Sequence, residues 1–155
     1  MMQTSRTIRA SLIAIFAAAA VSVAHAGDYL TNFDAGKKKA AAEEKPLLVK
    51  FTGSDWCPPC MKLDKEVFSK SSFKTSVEKD FIVVVLDFPR KAKLPADQAA
   101  ANKKVAKEYG LKSYPTVMLM DSKGKVFKTL SGYSGADSEA YLKELQMALK
   151  AKKFK

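Results

Sequence analysis

The sequence predicts a layered α/β fold, a central mixed sheet of about four strands flanked by helices on both faces. Three observations carry this. Two short apolar runs, Leu47 to Thr52 and Phe81 to Leu86, have the uninterrupted character of strands covered on both sides. The helical pattern between them makes a right-handed crossover, so the two strands should be parallel neighbours. Two further strands, Thr116 to Met120 and Lys125 to Leu130, flank Asp121-Ser122-Lys123-Gly124, which reads as an antiparallel hairpin turn.

The helices follow from local signals. Residues from about Asn32 to Glu44 are rich in alanine and lysine, with Thr31 or Asn32 as cap and Pro46 beyond the end. A second helix should begin at Cys57 and run to about Ser69, with Met61, Leu63, Val67 and Phe68 as its apolar positions. Phe73 and Val77 indicate a further short helical turn. Phe88 to Pro95 is polar, contains two prolines and reads as a surface connector. A helix from about Ala96 to Tyr109 follows, stopped by Gly110. The last helix, Ser138 to Lys150, places Ala140, Tyr141, Leu145, Ala148 and Leu149 on one broad face.

The first 26 residues read as a secretory signal peptide. Arg6 and Arg9 precede an apolar stretch from Leu12 to Val23, and Ala24-His25-Ala26 has the small-x-small pattern of a cleavage site. That stretch is shorter than the roughly 18 residues a spanning helix needs, so stable membrane insertion is not expected. Cleavage after Ala26 would leave residues 27–155 as one domain, exported to the periplasm, and would remove His25, the only histidine. A Cys-His nucleophile, a Ser-His-Asp triad and a histidine metal ligand are then all excluded. The chain has two cysteines, too few for a structural zinc, and no metal or cofactor is expected. The net charge of +11 is spread along the chain, without a basic face of stacking aromatics, so nucleic acid is not an expected partner. A solvated, monomeric domain is the expectation.

Both cysteines lie in Trp56-Cys57-Pro58-Pro59-Cys60, directly after the first strand. Cysteines two residues apart can close a small disulfide, reopen it and pass its oxidation state to another protein. One thiolate attacks a foreign disulfide and the second resolves the mixed disulfide. Cys57 at a helix start would have its thiolate favoured by the helix dipole, while Cys60, one turn in, would be more buried. Pro58 and Pro59 suit a first turn, where a missing N–H costs little, and they tune the site by removing donors.

The strand leading into this motif, the Ser113-Tyr114-Pro115-Thr116 segment before a strand, and the final hairpin and helix occur in that order. Over roughly Asn32 to Lys150 the sequence resembles thioredoxin-fold proteins. Phe51-Thr52-Gly53-Ser54-Asp55-Trp56-Cys57 is most similar to exported bacterial members. The resemblance implies that Cys57 attacks, Cys60 resolves and the Tyr114–Pro115 bond is cis. Trp56, Tyr114 and Pro115 would then form the substrate-docking surface, with the Tyr114 backbone pairing to an extended segment.

One departure stands out. The family commonly has a buried aspartate on the strand before the cysteines, and the matching position here is Lys50. Burying a lysine is expensive, so Lys50 is expected to point to solvent. Asp55, Glu66 and Asp87 are candidate replacements as proton acceptor for Cys60. The expected activity is a thiol–disulfide oxidoreductase acting on protein dithiols and disulfides, rather as a reductase than an oxidase, recharged by a membrane electron donor. The competing reading is a binding or chaperone module whose disulfide is static.

Overall fold

The computed structural model describes residues 29–153; the expected signal peptide at 1–26 lies outside the described residues. The elements run α1 (Phe33–Ala42), β1 (Leu47–Thr52), α2 (Pro58–Leu63), α3 (Ser71–Asp80), β2 (Ile82–Asp87), α4 (Ala96–Glu108), β3 (Thr116–Met120), β4 (Val126–Ser131) and α5 (Ser138–Lys153). The sheet order is β2-β1-β3-β4, with β1 parallel to β2 and antiparallel to β3, and β3 antiparallel to β4. This is the predicted mixed sheet.

Every residue of β1 is buried, because β1 is bonded on both sides and covered on both faces. Strand alternation then divides the core. Leu47, Val49 and Phe51 join Val84, Leu86, Met118 and Met120 under α1 and α4, with Phe33 and Val105. Leu48 joins Val83, Val117 and Leu119 on the other face, against Leu63, Phe68, Phe73, Tyr141 and Leu145.

Local chemistry explains the boundaries. The Asn32 side chain caps α1 by accepting from the Ala35 N–H at 2.8 Å. Leu30 adds a parallel bridge beside Val84, bonding Val83 and Val85 and covering part of the β2 edge. In the hairpin, the Asp121 carboxylate accepts from the Lys123 and Lys125 N–H groups, and Gly124 takes φ +89°.

Some expectations change. The turn at Phe73 and Val77 is a full ten-residue helix, α3. The helix after the cysteines continues from Leu63 as a π turn over Asp64–Phe68, closed by the Ser69 N–H on the Asp64 carbonyl at 2.8 Å. The wider turn lets the adjacent residues Val67 and Phe68 both face inward. Met61 is 44% exposed, and Ala140 is also exposed, so neither serves as a core position. Among the described residues no helix is long and apolar enough to cross a membrane.

Gly36 sets how closely α1 meets the sheet. A Cβ there would lie 2.3 Å from Val84 Cγ2, a methyl on a fully buried side chain. Gly36→Ala is therefore expected to destabilise by about 1–3 kcal/mol, overpacking outweighing alanine's better helix propensity. Urea unfolding reads the change, and an unchanged or raised midpoint would show that α1 can lift away from β2.

Candidate active site

β1 ends at Thr52, and a tight turn carries the chain into α2. The Cys57 N–H donates to the Gly53 carbonyl at 3.0 Å, and the Trp56 indole packs against Gly53. Any Cβ at Gly53 would come within 2.5 Å of that ring, so the close approach requires glycine. Cys57 is the N-cap of α2, with extended backbone, and the Met61 N–H donates to its carbonyl. Pro58 and Pro59 occupy the first turn and are exposed.

Cys57 and Cys60 are joined in a disulfide, with their Cα atoms 5.2 Å apart. Cys60 is 1% exposed and Cys57 is 4% exposed. What access there is falls on Cys57.

An aromatic group stands beside the pair. The Trp56 and Tyr114 rings meet edge to face at 5.6 Å, and Phe88 lies 5.3 Å from Tyr114. The Trp56 Nε1–H donates to the Phe88 carbonyl at 2.8 Å. The Tyr114–Pro115 peptide is cis, Pro115 is buried, and its carbonyl accepts from the Gly132 N–H at 2.8 Å. Burial raises the Tyr114 phenol above its ordinary pKa, so it stays neutral. The structure thus brings Trp56 and Tyr114 into contact next to the disulfide.

Phe88 to Pro95 is more than a connector. The Asp55 carboxylate accepts from the backbone N–H groups of Arg90, Lys91 and Ala92 at 2.9, 2.7 and 2.8 Å. Asn102 donates to the Asp87 carbonyl, and the Arg90 guanidinium lies 3.7 Å above the Trp56 ring. Local sequence gave no sign of these ties, since Asp55 and the residues it holds are 35 to 37 positions apart.

Lys50 does not reach solvent. It shares with Leu48 and Thr52 the face under α2, is 3% exposed, and its Nζ donates to Asp64 Oδ1. The same ammonium sits 4.5 Å above the Phe68 ring. Burial lowers the Lys50 pKa, opposed by the charge and hydrogen bond of Asp64 and the charge of Asp87. The three acids suggested for Cys60 are engaged elsewhere. Asp55 holds the loop, Glu66 accepts from the Tyr133 hydroxyl at 2.7 Å, and Asp87 accepts from the Ser54 N–H and hydroxyl.

Asp64 was not among the candidates, yet it follows Cys60 by one helical turn and its N–H donates to the Cys60 carbonyl. A cavity of about 390 Å³ opens onto Lys50, Thr52 and Asp64. Thr52 Oγ1 has no hydrogen-bond partner among the described residues, and the space is wide enough for water.

A family model described as a thioredoxin-like domain matches residues 33–146. The chain belongs to the thioredoxin-like family. The disulfide bond reductase DsbH of Chlamydia pneumoniae is 31% identical over 108 residues, covering 70% of this chain and 64% of that protein. A protein disulfide-isomerase of Ricinus communis is 32% identical over 135 residues, covering 86% of this chain and 25% of its own length. The chain therefore spans less than two thirds of either relative. Among solved structures, a DsbH oxidoreductase superposes with a TM-score of 0.73 at 27% identity, covering 81% of this chain and 88% of its own. A thioredoxin from Thermus thermophilus shares the fold at a TM-score of 0.59 and 18% identity, over 78% of this chain and 86% of that one.

The pair is asymmetric, since the Asp64 side chain is 37% exposed and that of Lys50 only 4%. Lys50→Met is expected to be neutral or stabilising by about 1–2 kcal/mol, whereas Asp64→Ala, stranding a buried ammonium, should cost about 2–3 kcal/mol. Above its lowered pKa, Lys50 binds fewer protons in the folded than in the unfolded chain. Wild-type stability relative to Lys50→Met therefore rises with pH up to the ordinary lysine value of 10.5. Urea titrations across alkaline pH check this, and a falling difference would contradict it.

Proposed function

We propose that this protein is a thiol–disulfide oxidoreductase of the periplasm, exported by a signal peptide at 1–26 and acting through Cys57 and Cys60. The observation that carries the reading is the Cys57–Cys60 disulfide at the head of α2, its accessible side beside Trp56 and Tyr114. Both cysteines of the chain are spent on this four-residue ring, which restrains very little backbone and so adds little to stability. A static module has small use for it.

In the reducing direction, the Cys57 thiolate attacks a substrate disulfide, forming a Cys57–substrate bond and releasing the other substrate sulfur as a thiolate. That thiolate takes a proton. Cys60, deprotonated, then attacks Cys57, closes the ring and frees the second substrate thiol. Two electrons pass from the protein to the substrate, and a membrane electron donor must return them. The Asp64 carboxylate, one turn beyond Cys60 and lining the cavity, takes the Cys60 proton and passes it to water. The Tyr114 backbone, at the start of β3, offers an extended substrate segment a strand to pair with. The reductase direction is supported by the name of the Chlamydia pneumoniae relative, a disulfide bond reductase.

The test is a Cys60→Ala variant expressed with its export signal. It should accumulate mixed disulfides through Cys57, resolved by dithiothreitol and absent from Cys57→Ser, Cys60→Ala. A variant that captures nothing, with the Cys57→Ser, Cys60→Ser protein retaining full function in cells, would hand the chain to the static binding module.

A further inference from the structure

The loop at 88–93 carries three exposed cations, Arg90, Lys91 and Lys93, and Arg90 packs on Trp56, the residue before Cys57. It does not hang free. The Asp55 carboxylate grips three of its backbone N–H groups, and the Trp56 indole N–H holds the Phe88 carbonyl. Hydrogen bonds from the Arg90, Ala92 and Lys91 N–H groups hold the Asp55 carboxyl below its usual range, so the anchor is ionised at neutral pH. These bonds go to backbone, and the cationic side chains stay exposed. Asp87, the other carboxylate nearby, is bound by Ser54 and acts on Lys50.

We infer that this anchored rim is a docking surface for an extended partner segment carrying Asp or Glu beside its reactive cysteine. The inference rests on the exchange reading above and adds the class of substrate. Arg90 lies on Trp56, and Trp56 directly precedes Cys57, so a segment presenting a sulfur to Cys57 passes beside this cationic loop. Acidic flanks meet charge complementarity there and basic flanks meet repulsion. Trp56, Tyr114 and Phe88 form the apolar floor beneath it. A fixed loop gives up little conformational entropy when it binds, which favours discrimination at the site over general attraction to the whole basic surface. An anionic lipid surface matches the charge but offers Cys57 no sulfur.

The test uses the purified protein, reduced with dithiothreitol and desalted, against three peptide disulfides that differ only in flanks of Glu, Gln or Lys. Exchange with the Glu peptide should be about tenfold faster than with the Lys peptide at low ionic strength, the gap closing as salt rises. An R90Q/K91Q/K93Q variant should bring the ratio toward one. An equal loss of charge at Lys38, Lys143 and Lys150, on α1 and α5, should leave it unchanged.

A second readout is independent of exchange. Trp56 is the only tryptophan, so its fluorescence reports binding of the same peptides with serine in place of cysteine. Selective binding of the Glu form without exchange by any peptide would uphold the rim and overturn the oxidoreductase reading. Equal exchange and equal binding for all flanks would overturn the rim and leave that reading intact. A ratio unaltered in R90Q/K91Q/K93Q would also overturn it. So would Trp56 quenching by phosphatidylglycerol vesicles but not by the Glu peptide.

Discussion

The structure depends on β1 being buried from end to end. It is bonded to β2 on one side and β3 on the other, and helices cover both faces. With no exposed surface to slide on, its register is fixed by core packing, because a one-residue slip would exchange the two apolar faces. Everything at the site is measured from the end of this strand. Thr52 stops β1, Gly53 admits the indole, and Cys57 caps α2. The parallel neighbour β2 ends at the same level and delivers Phe88 and Arg90, while the antiparallel β3 begins there and delivers Tyr114. Three distant stretches of chain thus converge beside one disulfide.

The same constraint explains Lys50. Its place between Leu48 and Thr52 forces its side chain onto a covered face, so the ammonium cannot stretch to solvent without leaving the strand. Asp64 and the Phe68 ring supply what water would have given. Because Asp64 belongs to the turn that follows Cys60, the strand's one charged residue is coupled to the helix carrying both sulfurs. The cavity beside it is lined by both members of the pair.

Much of this was legible from the residues. Uninterrupted apolar runs, turn residues and helical patterning located the strands and helices, since core burial depends on those patterns, and the cysteine spacing located the chemistry. Element ends moved by one to three residues, and α3 was longer than two apolar positions had implied, its exposed face being too polar to register. Lys50 was misread because its cost of burial was weighed without its partner. The run Leu47-Leu48-Val49-Lys50-Phe51 already signalled a strand with no open face, and Asp64 lies four residues after Cys60. The Asp55 clamp was not legible at all. A carboxylate reaching three backbone N–H groups 35 to 37 residues away leaves no local pattern, and a proline-containing polar loop reads the same whether held or free.

The central claim is that Cys57 and Cys60 form a working redox couple poised to reduce other proteins. The most direct measurement is the reduction potential of that pair, by equilibration against glutathione and dithiothreitol buffers. The account predicts ready equilibration and a value of about −250 mV or lower, as for reducing members of the fold. A value of about −150 mV or higher would contradict it by marking a disulfide donor, and a pair that does not equilibrate would contradict the redox claim itself.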